Sequence, residues 1–170
     1  MDESEQGRIF NGWLREHRGL IFKVVRAYAF NHHDQEDLFQ EIAAQVWNSI
    51  PKYLGESKVA TWIYRVAFFS AIAWSKKERK HRDRHRDIDG EDPILIEAVP
   101  KPDRRIDWLY EQIARFDAID RSLTLMMLDG YTYAEISASL GLTESNVGVK
   151  LNRIKKRLTE KSNEDTNHGF

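Results

Sequence analysis

The chain has no cysteine among its 170 residues. Disulfides, cysteine nucleophiles and cysteine-ligated zinc or iron–sulfur clusters are thereby excluded. Proline is scarce, and three of the four residues (Pro93, Pro100 and Pro102) fall in one stretch. No uninterrupted apolar run reaches membrane-spanning length, so membrane insertion is not expected. The opening MDESEQGRIF is acidic and polar where a signal peptide would be basic and then apolar. With the missing cysteine, this points to a cytoplasmic protein. A charge excess is also lacking: 26 Lys and Arg oppose 27 Asp and Glu. That excludes a uniformly basic nucleic-acid coat and leaves local basic faces open. Neither a phosphate-cradling P-loop nor a nucleophile elbow occurs, and no enzyme chemistry is expected.

What is present is helical. Apolar and polar residues never alternate long enough for a sheet. The segment from Asp83 to Asp107 holds Gly90, the clustered prolines and eight acidic residues, and reads as a linker. The expected fold is therefore all-α: two small helical domains joined by a flexible linker. The divisions are a first domain at 1–82, a linker at 83–107, a second domain at 108–162 and a polar tail at 163–170.

In the first block, Ile9, Trp13, Leu20, Val24 and Tyr28 keep roughly helical spacing. His32, His33 and Asp34 read as a polar turn in which Asp34 caps a second helix, and Glu36 and Asp37 complement its positive start. Leu38, Phe39, Ile42, Val46 and Ile50 form its apolar stripe, which Pro51 ends. After Leu54-Gly55-Glu56, Ser57 is expected to cap a third helix with Val59, Trp62, Ile63, Val66, Phe69 and Ala73 inward. That helix runs into KKERKHRDRHR (76–86), where seven Lys or Arg meet two acids. Aromatics beside a basic run suit single-stranded nucleic acid, with π-faces for bases and cations for phosphates. The plainer reading is a core helix with a solvated basic tail. His81 and His85 stand four apart, as two metal ligands on a helix would, but no third ligand follows and no metal or other cofactor is expected.

The second block is more explicit. Ile106, Leu109, Ile113 and Phe116 suggest one helix, and Leu123, Met126 and Met127 another that stops at Gly130. Thr132 and Glu135 form a capping box, and Gly141 supplies the positive φ of a tight turn. Thr143 then caps a helix that buries Val147, Leu151, Ile154 and Leu158. This is a helix-turn-helix pattern, in which the second helix enters the DNA major groove; the plainer reading is a helical hairpin with a basic rim. Glu144, Ser145, Asn146 and Gly148 are its exposed early positions, suited to base edges. Lys150, Arg153, Lys155, Lys156 and Arg157 are cations suited to phosphates.

Together the two blocks resemble a bacterial extracytoplasmic-function sigma factor, a small sigma factor that keeps the second and fourth conserved regions. DQEDLFQEIAAQVW (34–47) is similar to the family's D-x-E-D-L-x-Q-E-x-F helix, and TWIYRVA (61–67) to its T-W-L-Y-R-I-A. GYTYAEISASLGLTESNVGVKLNRIKKRL resembles G-x-S-x-x-E-I-A-x-x-L-G-x-S-x-x-T-V-K-x-R-L-x-R-A. The chain departs from the pattern where Phe69 replaces the usual Asn and Ala73 the usual Asp. Such changes mean a repacked core, a substitute stacking surface or altered −10 specificity. Ser137 and Gly148 stand where Ala and Lys are common.

The resemblance implies a transcription initiation factor that binds core RNA polymerase and directs promoter recognition and DNA opening. Asp34, Asp37, Leu38, Gln40 and Glu41 would bind the largest-subunit clamp. Trp62, Tyr64, Arg65, Phe69, Lys76 and Lys77 would contact the −10 element. The second block would sit on the polymerase flap and place Glu144, Ser145, Asn146, Gly148, Lys150 and Arg153 in the −35 element. The acidic residues from Asp87 to Glu97 would mimic RNA charge. The resemblance also implies an anti-sigma partner, with Trp13 and Trp108 as candidate contacts, and no obligate homo-oligomer. The alternative is a dimeric helix-turn-helix regulator that needs no polymerase. It accounts for the second block but not for the acidic helix or Trp62-Ile63-Tyr64-Arg65.

Overall fold

A computed structural model describes residues 2–84 and 103–167, with side chains over 2–80 and 103–165. The chain divides into two compact units, Met1–Asp103 and Arg104–Phe170. All regular structure among the described residues is helical, as the missing alternation predicts. The acidic stretch from Asp87 to Glu97 and the side chains of His81 and His85 lie outside the described residues.

The first unit is built from α1 (Glu3–Tyr28), α2 (His32–Ser49), a 3₁₀ turn (Ile50–Lys52) and α3 (Val59–Arg84). Asp2 caps α1, its Oδ1 accepting from the Glu5 amide at 2.7 Å. The helix continues unbroken through Gly7, Gly12 and Gly19, and a Cβ added at any of them would meet open space. Each glycine costs about 1 kcal/mol relative to alanine in a helix interior. Gly19→Ala is therefore expected to stabilise the unit by about that amount. An unchanged urea midpoint would show that α1 does not hold this helix through Gly19.

The cap of α2 is Asn31 and not Asp34. Asn31 Oδ1 accepts from the Asp34 amide at 2.8 Å, and its Nδ2 donates to Asp34 Oδ2 at 2.8 Å. Asn is as good a cap as Asp, and this one satisfies a second residue in return. His32 and His33 consequently lie inside the first turn, each one turn before its acidic neighbour, Glu36 or Asp37. Ser57 does not cap α3 either. Its carbonyl takes the Tyr53 hydroxyl, and the helix opens on the Lys58 carbonyl, which accepts from Trp62 N at 3.1 Å.

Leu38, Ile42 and Val46 from α2 and Ile21, Val24, Val25 and Tyr28 from α1 are buried in the core of this unit. The face that α3 contributes is Ile63, Tyr64, Ala67, Phe68 and Ala71, with Tyr64 stacked on Phe68 at 4.9 Å. Relative to the expected face, the helix is turned so that Phe69 and Ala73 look outward. Residues 59–74 are apolar almost all round, so periodicity cannot fix their phase. Close approach selects the side where Ala67 and Ala71 are small.

The second unit comprises α4 (Arg104–Ala114), α5 (Ala118–Leu128), α6 (Tyr133–Leu140) and α7 (Glu144–Asn167). Its core is Ile113, Leu123, Met126, Ile136, Val147, Leu151 and Ile154. Helix α4 begins inside the stretch read as linker, one residue beyond the last of the clustered prolines and their following Asp103. At the other end, α7 continues through most of the supposed polar tail. Trp108 Nε1 donates to Asp165 Oδ2 at 2.6 Å and Lys161 pairs with Glu164 at 2.9 Å, both holding the last turns. The hydrogen bond and charge of Glu164 raise the Lys161 ammonium above its ordinary lysine pKa.

Candidate nucleic-acid and polymerase interfaces

The helix-turn-helix forms as its local chemistry dictates. Thr132 and Glu135 exchange their capping-box hydrogen bonds, Thr132 N donating to Glu135 Oε2 at 2.8 Å and Glu135 N to Thr132 Oγ1 at 3.2 Å. Gly141 ends α6 at φ 69°, and Thr143 Oγ1 accepts from Asn146 N at 3.2 Å to start α7. Glu144, Ser145 and Asn146 are exposed at the opening of α7. Gly148 lies beneath the Tyr133 ring, 3.4 Å from where a Cβ would stand.

Lys150 and Arg153 are not free cations on this surface. Lys150 Nζ meets Asp120 Oδ1 at 2.9 Å, and Arg153 Nη2 meets Asp120 Oδ2 at 2.8 Å. The Asp120 side chain is only 4% exposed. Both carboxylate oxygens thus fasten α7 to α5. Arg157 is also engaged, its guanidinium over the Phe116 ring at 5.0 Å. Asp120 was missed in the sequence. The signal is an acid three residues before Leu123, on a buried stripe, with two basic residues three apart on a later helix.

In the first unit, a cleft of about 340 Å³ opens between the end of α2 and α3. Gln45, Asn48 and Ser49 line one wall, Trp62, Val66 and Phe69 the other, and Lys52 and Arg65 add charge. Trp62 is held from behind: its Nε1 donates to Ser49 Oγ at 3.0 Å, and its ring leans on Tyr53, which meets the Trp13 edge. Phe69 is 48% exposed. Its outward position overturns the repacked-core reading of this departure. Arg65, Lys76 and Lys77 are exposed on the same helix. Tyr64 is not part of this surface, since it is 1% exposed and belongs to the core.

On α2, Asp37, Gln40 and Glu41 are exposed, while Asp34 is tied to Asn31. Leu38 is fully buried, because it sits on the same stripe as Ile42 and Val46, and so offers no partner a surface. Trp13 and Trp108 are likewise engaged within their own units. The exposed large apolar residues are elsewhere, among them Phe22, Phe30, Phe69 and Val149. No group of His, Asp or Glu among the described residues is arranged to hold a metal ion. No described helix is long and apolar enough to cross a membrane.

A helix-turn-helix in one unit and a basic, aromatic helix in the other are the features of a DNA-binding protein. Comparison with known proteins makes this specific. Sigma-70 region 2 matches residues 13–81, and Sigma-70 region 4 matches residues 117–158. The RNA polymerase sigma factor YlaC of Bacillus subtilis is 23% identical over 85% of this chain and 91% of its own length. The extracytoplasmic-function sigma factor SigM of the same organism is 26% identical over 86% of this chain and 91% of its own. The fold is similar to that of the sigma factor RpoE in its complex with the anti-sigma factor NepR from Bartonella quintana. That match has a TM-score of 0.74 at 15% identity, covering 90% of this chain and 96% of the other. The structure of CnrH with the cytosolic domain of CnrY gives a TM-score of 0.67 at 15% identity, covering 94% and 90%.

The chain belongs to the extracytoplasmic-function sigma factors of the sigma-70 family. It is a transcription initiation factor that directs promoter recognition by RNA polymerase. The dimeric-regulator alternative is not favoured, because the region 2 match falls on the unit it leaves unexplained. Sigma factors are non-enzymatic.

Proposed function

We propose that the first unit docks on the polymerase clamp through Asp37, Gln40 and Glu41, and opens the −10 element at the α2–α3 cleft. The observation that carries this is Phe69, an exposed aromatic at a cleft backed by a fixed Trp62. An unstacked non-template base would lie on Phe69, with Gln45 and Asn48 within the cleft to meet its edge. Arg65, Lys76 and Lys77 would take the neighbouring phosphates. The flap-bound second unit would read the −35 element through Glu144, Ser145 and Asn146, with Lys155 and Lys156 on phosphates. An anti-sigma protein is the expected inhibitor, and one solved structure of similar fold, that of RpoE with NepR, holds such a partner. The place of action is the cytoplasm, where the polymerase works.

The energetics require the polymerase. Opening a duplex step costs roughly 1–2 kcal/mol in stacking, and one base on an aromatic returns about 1–3 kcal/mol. A bubble of several steps therefore collapses unless core polymerase holds the rest of the strands. The near-zero net charge fits, since the enzyme supplies most non-specific DNA affinity.

The test is co-elution of the purified chain with bacterial core polymerase, in salt high enough to suppress loose electrostatic contacts. A stoichiometric complex is expected. Asp37→Lys with Glu41→Lys should weaken it by about tenfold or more, because paired surface charges govern encounter and partner choice. Both positions are exposed, so the fold should be unchanged. No complex, together with binding to free palindromic duplex, would overturn the reading.

A further inference from the structure

The outer face of α7 carries an apolar residue where DNA would lie. Val149 is 67% exposed and stands two positions from each of the buried Val147 and Leu151. At 3.6 residues per turn it points almost directly away from the core. Ser145 precedes it by one turn and Asn152 follows by about one, both exposed. Single exposed apolar residues are ordinary on protein surfaces. What sets this one apart is its two chain neighbours. Gly148 has no side chain and lies under the Tyr133 ring. Lys150 is drawn back to Asp120 at 2.9 Å, its side chain 23% exposed. Neither flanking position therefore sends a long cation past Val149, and a short branched hydrocarbon is left foremost on the helix.

Only one group in the major groove matches such a side chain. Thymine presents a C5-methyl there, and the other bases present hydrogen-bonding edges. We propose that Val149 is a specificity-determining residue of the second unit, reading the methyl group of one thymine in the upstream promoter element. This rests on the proposed placement of α7 in that element. It also moves the centre of base reading outward from the positions first chosen. Ser145, Val149 and Asn152 form the leading stripe, and Lys150 serves behind it.

The experiment uses holoenzyme assembled from the full chain and core polymerase. Selection from a randomised upstream duplex identifies the preferred sequence, and each thymine is then replaced singly by deoxyuridine, which lacks only the methyl. With wild-type chain, one replacement is expected to weaken binding by about fourfold, the equivalent of about 0.8 kcal/mol for one buried methyl-sized group. With Val149→Ala, that same replacement should cost almost nothing, while the preferences at other positions persist. An equal deoxyuridine penalty in both proteins, or no thymine whose methyl matters, would overturn the inference alone. A selection that yields no preference anywhere in the upstream duplex would instead overturn the placement of α7 on which it rests.

Discussion

Replacing Lys150 and Arg153 together by methionine is expected to destabilise the second unit by about 3–5 kcal/mol. The two cations pair with both oxygens of Asp120, whose side chain is 4% exposed. Removing them leaves a carboxylate in the α5–α7 interface without its counter-charges, the costly way to break a buried pair. Adding Asp120→Leu to the same background should restore most of the loss, since an apolar replacement of the whole cluster leaves nothing buried and charged. Urea denaturation of the full chain, with hydrogen exchange read in α5 and α7, measures both effects. A loss below about 1 kcal/mol in the double variant would place the cluster with ordinary surface pairs. Weakened promoter binding by Lys150 variants would then have to be reconsidered as a lost DNA contact and not a loosened helix.

The second large effect is expected in DNA opening. Phe69→Ala should leave stability nearly unchanged, because about half of the ring is already in solvent. If a base stacks there, losing the ring removes about 1–3 kcal/mol, or roughly five- to 150-fold fewer open complexes at equilibrium. Permanganate footprinting of unpaired thymines in the −10 region, at saturating holoenzyme, separates opening from binding. Phe69→Trp should retain opening, since it keeps a π-face, whereas Phe69→Leu keeps bulk without one. Equal opening by the Phe, Leu and Ala forms would remove Phe69 from the melting site and leave Trp62 as the sole aromatic of the cleft walls.

Legibility in the sequence followed the range of each interaction. The α6 capping box and the Gly141 turn involve residues within a few positions of each other, and both were readable. So was most of the buried stripe of α7: Val147, Leu151 and Ile154 are buried as their spacing predicts, and Leu158 is half-buried. The phase of α3 was not readable, because Val59 to Trp74 has apolar residues on every side. Only packing against α1 and α2 decides that Tyr64 goes in and Phe69 stays out. That rotation turns Tyr64 from a DNA contact into core and Phe69 from filler into surface. The cap of α2 was misassigned for a smaller reason: Asn31 and Asp34 are both good caps, and only their reciprocal hydrogen bonds distinguish them. The Asp120 cluster was least accessible. Its partners stand 30 and 33 positions away, and the same basic residues fit a phosphate-binding face equally well.

The Trp108–Asp165 hydrogen bond works as a clasp between the start of α4 and the end of α7. It brings the polypeptide entering the unit alongside the polypeptide leaving it. Glu144 and Asp165 are 21 residues apart on one helix, so the clasp lies about 30 Å from the first turn of α7, the one proposed to face DNA. An affinity tag or fluorophore attached beyond Asp165 would therefore start far from the reading face. A reporter at that end leaves the opening of α7 unlabelled.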